Sequence, residues 1–357
     1  MLTRKKIDGP LLSVCIPTHD GRARRLDAAL CSVFAQLDAG LESQVEICVS
    51  DNGSHDETQE IIKRHRRAGR QIIYARSEHN QGFLANLLRV AELAQGEFCW
   101  FLASDDVADP EGIRRLTKRL DEHGDVTGAT LRPTSYAADA TTELGPWVPM
   151  LHPRRSEHRQ VFVTYADVVG SCGLLTGLIS ALVVRRHLWI EAVDRLGAAE
   201  LARWPYHPHS RIVLEMLRRH PRWLWEPDRI LRVRTGEANS VLAGLGGDVA
   251  TYHLRTTHEI EQLFAEAVGR RSPAYREVFR RSFWFGWHPL LVLSWKARGV
   301  PPHVDRELLV ALTRWFWWLP EFWGTLFVIL LVPSRLLPGR LLVRAASLAR
   351  SFRALVV

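Results

Sequence analysis

Four clusters of polar residues in the first third of the chain have the composition of a ligand site. They are Pro17-Thr18-His19-Asp20, Ser50-Asp51-Asn52-Gly53-Ser54, Asn80-Gln81-Gly82 and Ser104-Asp105-Asp106. Each alone is also ordinary turn chemistry, because Asn, Asp, Gly and Ser favour turns. Asp105 and Asp106 add something that a turn does not require: adjacent carboxylates repel, and exposure or a cation relieves them. Mg2+ or Mn2+, held by one or two carboxylates and by the phosphates of a substrate, suits that pair. Further on, His207 and His209 flank Pro208 ahead of a helical stretch. A histidine with its ordinary pKa of about 6.5 accepts a proton at neutral pH, although packing between prolines is the plainer use of such a ring.

A short apolar run precedes each cluster. Residues 11–16 (LLSVCI), 45–49 (VEICV), 72–75 (IIYA) and 98–102 (FCWFL) read as strands. Between them Leu26, Ala29, Leu30, Val33 and Phe34, then Ile61 and Ile62, then residues 84–94 carry helical patterns. Near-continuous apolar strands alternating with helices predict an α/β fold with a parallel sheet covered on both faces. In such folds ligands bind beyond the carboxyl ends of the strands, where the four clusters fall.

The 357 residues are 46% hydrophobic and 24% charged, which excludes a disordered or collagen-like chain and fits about two domains. Lys and Arg exceed Asp and Glu by 47 to 39, a formal charge of +8. That excess favours polyanions: nucleic acid, an anionic membrane face or phosphate-bearing substrates. No recognition helix, zinc finger or RNP pattern accompanies it, so nucleic acid is not the expected partner. The five cysteines, an odd number without a close-spaced pair, give neither a disulfide framework nor a zinc site and point to a reducing compartment. Pro17 ends the first apolar run too early for a signal-peptide core, so the N-terminus reads as cytoplasmic.

In this order the motifs resemble those of the family-2 glycosyltransferases, which have a GT-A fold. Residues 12–18 (LSVCIPT) are similar to the family's opening strand, and 49–56 (VSDNGSHD) to its nucleotide loop. Residues 80–86 (NQGFLAN) resemble its "N.G...N" segment and 96–102 (GEFCWFL) the strand before its DXD-type motif, where 103–106 (ASDD) stand here. The resemblance implies that Thr18 and Asp51 hold the nucleotide, Asp51 on the base, with Pro17, Asp20, Asn52, Asn80, Gly82, Asn86 and Ser104 lining the nucleotide-sugar site. It implies that Asp105 meets a metal ion bridging the diphosphate, with Asp106 able to substitute. Ala103 replaces the first Asp of the usual motif, or Ser104 does in the triple-Asp alignment. The implied reaction is inverting transfer from a nucleotide-diphosphate sugar, with Mg2+ or Mn2+ stabilising charge on the leaving diphosphate and a general base activating an acceptor hydroxyl.

From about residue 130 the alternation breaks down. Pro133, Gly145, Pro146, Pro149 and Pro153 mark loops, and Arg154, Arg155, His158 and Arg159 add charge to a loop that covers the diphosphate or is simply solvated. Family members often carry an acidic pair, its Asp the base, after their last core strand. None occurs over 189–217; residues 204–209 (WPYHPH) stand in its place, as in the abequosyltransferase-like subgroup of O-antigen and polysaccharide enzymes. By that resemblance His209, then His207, is the base or a substrate contact, and the role of Glu215 is open.

The end of the chain differs in character. Of 13 tryptophans only Trp100 precedes residue 147. A helical pattern over 251–268 is followed by the aromatic run 283–287 (FWFGW) and by 315–332, an apolar stretch of about bilayer length that Pro320, Glu321 and Gly324 interrupt. Arg335, Arg340, Arg344, Arg350 and Arg353 follow with no acidic residue. This pairing predicts a region lying on the anionic cytoplasmic face of a membrane, which makes a lipid-linked saccharide a plausible acceptor. A buried helical hairpin or a homo-oligomer interface is the alternative. The expected division is a GT-A-like domain over 1–245 and a helical C-terminal region over 246–357. A catalytically weak GT-A scaffold that binds a nucleotide sugar and organises a membrane assembly is the competing function, motivated by Ala103 and the missing acidic pair.

Overall fold

The computed structural model describes residues 9–38, 40–137, 141–146, 161–234, 249–278 and 306–333. The chain divides into two compact units, residues 1–147 with 152–234, and residues 148–151 with 235–357. The charged loop at Arg154, Arg155, His158 and Arg159, the aromatic run 283–287 and the arginine series from Arg335 lie outside the described residues.

In the first unit the apolar runs form strands, and the first two extend past the predicted ends. Strand β1 is Leu12–Thr18 and β2 is Val45–Asp51, so Thr18 and Asp51 are the last residues of strands rather than turn residues. β3 is Ile73–Arg76 and β4 is Phe98–Phe101. Helices α1 (Ala23–Leu37), α2 (Thr58–Arg67) and α3 (Phe83–Leu93) connect them. Leu26, Ala29, Leu30, Val33 and Phe34 of α1 are all buried, as their helical spacing requires. β1 pairs in parallel with β2 on one side and with β4 on the other, so the strand order reverses direction at β1. In open α/β sheets that point opens the crevice in which ligands bind.

Beyond β4 the sheet is mixed, which corrects the purely parallel expectation. After β5 (Val107–Ala108), α4 (Gly112–Glu122) and β6 (Gly128–Tyr136), the chain runs through β7 (Glu143–Pro146), β8 (Val161–Phe162) and α5 (Tyr165–Cys172). Two 3-10 turns, Gly173–Gly177 and Ile179–Ala181, lead into β9 (Leu182–Arg185), which is antiparallel to both β4 and β6. Helices α6 (Arg186–Ala202) and α7 (Pro208–Arg219) precede β10 (Trp223–Arg234), parallel to β6. The order is β3-β2-β1-β4-β9-β6-β10-β5, with β7 on β6 and β8 on β10.

Buried polar pairs fix the centre of this sheet. Arg185 at the end of β9 is ion-paired with Glu97, just before β4, and donates to the carbonyls of Val126 (2.9 Å) and Gly124 (2.7 Å). The indole N–H of Trp100 donates to the Ser180 carbonyl at 2.8 Å, tying β4 to the turn before β9. Cys15, Cys48, Cys99 and Cys172 are buried free thiols, and Cys31 is an exposed one.

The second unit contains the helices Val249–Val268, Arg306–Phe316 and Pro320–Leu331. The apolar stretch that begins at Trp315 is broken at Leu319, whose extended backbone (φ −96°, ψ 115°) precedes Pro320 at the start of the next helix. Two short helices therefore replace one of spanning length, and among the described residues no helix is long and apolar enough to cross a membrane. Trp315 is buried under the Arg270 guanidinium, 4.0 Å from its ring centroid, whereas Trp317, Trp323, Phe327, Leu330 and Leu331 are exposed.

Candidate active site

The carboxyl ends of β1, β2 and β4 and the loops that follow them bring most of the predicted residues to one crevice. Those residues fall into two sets. One set clamps the loops together. Asp20 Oδ1 accepts the backbone N–H groups of His55 (3.0 Å) and Asp56 (3.1 Å), while Asp56 Oδ2 accepts those of Gly21 (2.8 Å) and Ala23 (3.2 Å). Asn52 donates to Asn80 Oδ1 (2.7 Å) and the Gly82 carbonyl (3.2 Å), and its own Oδ1 accepts from Gln81 N–H (2.9 Å). Gly53 lets these loops close: at φ +78° a Cβ there would lie 2.6 Å from the backbone carbon of His79.

The second set presents unused polar atoms. Thr18 Oγ1, Ser50 Oγ, Ser54 Oγ and Asn86 Oδ1 are all buried without a hydrogen-bond partner. Asn86 reaches this spot by donating to the Thr18 carbonyl at 2.9 Å. Buried polar atoms are normally paired, and these four, at the ends of β1 and β2, in the loop after β2 and on α3, have no partner within the fold. Ser50 and Ser54 stood in the sequence only as turn residues. Pro17, half-buried, sits opposite Ser50 in the β1–β2 register.

Asp51 is fully buried, and both of its oxygens are engaged. Oδ1 accepts Ser54 N–H (2.9 Å), Oδ2 accepts the Tyr74 hydroxyl (2.7 Å), and Arg76 lies 3.6 Å away. The carboxylate therefore shapes the loop that follows β2, and burial together with Asp51 raises the Tyr74 phenol above its ordinary pKa.

The two carboxylates after β4 part company. Asp105 is on the rim, its side chain 27% exposed, with Oδ2 paired to Arg22. Asp106 is buried: Oδ2 accepts the Ser180 hydroxyl (2.6 Å) and Oδ1 accepts Arg234 N–H (3.0 Å). Burial, reinforced by the neighbouring Asp105 charge, pushes the Asp106 carboxyl up to about 7. Each Asp106 oxygen thus accepts a hydrogen bond from inside the fold, whereas Asp105 stands at the rim. Ala103 offers only its backbone, its N–H donating to Ser180 Oγ at 3.0 Å, and Ser104 is buried in the turn. Asp105 fits a hard cation as a single rim carboxylate, sharing the ion with ligand phosphates. The described residues that converge three ligand-type atoms, Asp27, Cys31 and His65, lie instead on α1 and α2, where His65 Nε2 and Asp27 Oδ1 are bonded to each other at 2.8 Å.

The histidines are also distinguished. Pro208 occupies the first turn of α7, which puts His209 inside the helix and 3% exposed. Its Nε2–H donates to the Gly177 carbonyl at 3.2 Å, its ring meets Phe83 edge-on at 5.7 Å, and Nδ1 is buried with no partner. Burial, then the nearby His207, lowers its pKa to about 3. So weak a base takes a hydroxyl proton poorly. His207 is half-buried at the N-cap of α7. Glu215 is ion-paired with Arg195, Arg211 and Arg219 and belongs to the packing of α6 on α7.

A mixed sheet with its reversal at β1, and orphaned polar atoms at the adjoining strand ends, has the architecture of a GT-A nucleotide-sugar fold. Residues 13–175 match the model of Glycosyl transferase family 2. It is 31% identical over 196 residues to the abequosyltransferase RfbV of Salmonella typhimurium, covering 52% of this chain and 55% of that one. The chain thus spans about half the length of this curated relative. Among solved structures, TarS 1–349 of S. aureus superposes with a TM-score of 0.58 at 16% identity, over 96% of this chain and 91% of that one. TarS has also been solved with UDP and with UDP-GlcNAc. The mannosyltransferase PcManGT from Pyrobaculum calidifontis, solved with GDP-Man and Mn2+, gives a TM-score of 0.51 at 14% identity, over 97% and 86% of the two chains. At these identities the solved structures establish a shared fold.

Proposed function

We propose that this chain transfers a glycosyl group, with inversion, from a nucleotide-diphosphate sugar to a hydroxyl of a saccharide or lipid-linked acceptor in cell-surface polysaccharide or glycolipid synthesis. The observation that carries the reading is the group of four partnerless buried polar atoms, Thr18 Oγ1, Ser50 Oγ, Ser54 Oγ and Asn86 Oδ1, at the reversal point of a family-2 sheet. Thr18 and Asn86 bind the nucleotide, while Asp20, Asn52, Asn80 and Gly82 hold their loops closed against water. Asp105 takes Mg2+ or Mn2+, which when bound supplies positive charge to the departing diphosphate. His207 receives the proton of the acceptor hydroxyl, and His209 packs behind it, their ring centroids 6.0 Å apart.

In this reading residues 1–245 do the chemistry, and residues 246–357 rest on the cytoplasmic face of the membrane through the exposed Trp317, Trp323 and Phe327. A thermal-shift screen of nucleoside diphosphates and nucleotide sugars with Mn2+ tests the donor site. One nucleotide class is expected to raise the melting temperature, in line with about 2.7 kcal/mol at a hundredfold excess over Kd. No shift with any of them contradicts the reading. Donor binding without turnover on any acceptor favours the catalytically weak scaffold.

A further inference from the structure

The first turn of α3 breaks the burial pattern of its own helix. Phe83, Asn86, Leu87 and Val90 share one face by their spacing, and the last three are buried. Phe83 continues that face and is 42% exposed. The reason is topological: α3 follows the carboxyl end of β3, so its first turn lies at the crevice end of the sheet. Exposure of one apolar side chain carries no message by itself. This ring, however, is held in place. The Gly82 N–H donates to Asn80 Oδ1 at 2.8 Å and the Gly82 carbonyl accepts from Asn52 at 3.2 Å, which fixes the chain just before Phe83. The phenyl then stands perpendicular to the His209 ring, 5.7 Å between centroids. His209 is itself tied to the Gly177 carbonyl (3.2 Å), and the adjacent Ser210 hydroxyl to the Thr176 carbonyl (2.9 Å). An ordered aromatic surface is therefore left open at the crevice.

Its neighbours say what it faces. One turn onward, about 4.5 Å along the helix axis, Asn86 is bonded to the Thr18 carbonyl and presents a partnerless Oδ1. On its other side stands His209, with His207 6.0 Å beyond. In the donor reading above, Thr18 and Asn86 take the nucleotide and His207 takes the proton of the acceptor hydroxyl. Phe83 lies between those two ends. Building on that reading, we propose that Phe83 is the platform against which a sugar ring rests, its C–H face on the phenyl, and thus a specificity-determining residue of the transfer. A pyranose carries hydroxyls around its rim and clusters axial hydrogens on a face. The negative face of an aromatic ring attracts such hydrogens, and polar side chains serve only the rim. The sugar is the one being transferred or the acceptor's own.

Two measurements distinguish these sources. Calorimetry with Mn2+ compares UDP, GDP, CDP and dTDP with UDP-glucose, GDP-mannose, CDP-glucose and dTDP-glucose. Rates of nucleoside diphosphate release are then taken with octyl glucoside, octyl galactoside and octyl mannoside as acceptors. Phe83→Leu keeps the apolar bulk at an exposed position and removes the ring, while Phe83→Tyr keeps the ring. If the donor's sugar rests on Phe83, Phe83→Leu weakens the nucleotide sugar by about three- to tenfold and leaves the nucleoside diphosphate unchanged. If the acceptor's sugar rests there, both bind as in wild type and the acceptor KM rises by a similar factor. Phe83→Tyr behaves as wild type in either case. Equal weakening of the diphosphate and its sugar assigns Phe83 to the nucleotide loops and overturns the proposal. So does a Phe83→Leu protein that matches wild type in both measurements, including the case in which neither protein uses a glycoside. In those two outcomes the wild type still binds nucleotide and the donor reading stands. A wild type that binds none of these compounds ends both.

Discussion

Asp106 carries the most legible chemical signature of a single residue in this fold. Its carboxyl titrates near 7 because it is buried and sits beside Asp105, whereas in the unfolded chain it titrates at about 3.9. The folded state therefore keeps a proton that the unfolded state has released. The stability this group contributes falls as pH rises from about 4 to about 7. Asp106→Asn removes that dependence while keeping an acceptor for Arg234 N–H, so its melting temperature relative to wild type should rise more at pH 8 than at pH 4. Melting curves at the two pH values check this; an equal difference at both contradicts it. The sequence marked Asp105 and Asp106 as a pair and could not tell rim from interior. The hydroxyl that draws Asp106 inward belongs to Ser180, 74 positions away. Arg22 was hidden for the same reason: within the run Gly21-Arg22-Ala23-Arg24-Arg25 it reads as a solvated charge, and its partner is 83 positions on.

At the scale of elements, the first four strands and three helices were readable because each is one uninterrupted period of apolar residues. β9 was not, since four buried residues, LVVR, pair equally well in either direction, and its antiparallel course is decided by its neighbours. Pro208 was read as a spacer between two histidines; as the first residue of α7 it instead carries His209 into the core. The loop architecture makes a prediction at Gly53. Its positive φ and its approach to His79 leave no room for a side chain, so Gly53→Ala should cost about 1–3 kcal/mol of stability. By pushing the Asn80–Gly82 segment off Asn52 it should also weaken nucleotide binding. Denaturant unfolding and calorimetry measure the two; a variant with unchanged affinity contradicts the clamping role of these loops.

Across the whole molecule, the excess of +8 and the late tryptophans belong to different tasks. Part of the positive charge lies inside the first unit, on Arg22 and Arg234 against Asp105. The second unit instead offers exposed aromatic residues on short helices. If that face rests on a membrane, the protein should sediment with vesicles containing phosphatidylglycerol. Trp317→Ser with Trp323→Ser should then lower the partition coefficient roughly tenfold, equivalent to about 1.4 kcal/mol. Unchanged partitioning of the double variant contradicts that use of the face. The central claim, transfer from a nucleotide sugar, is tested most directly by release of nucleoside diphosphate from a panel of donors with Mn2+. The account predicts release above the buffer rate with one donor class, a loss of about a hundredfold or more in Asp105→Ala, and a comparable loss in His207→Ala. A folded wild-type protein that releases nothing from any donor, or an Asp105→Ala variant as active as wild type, would contradict it.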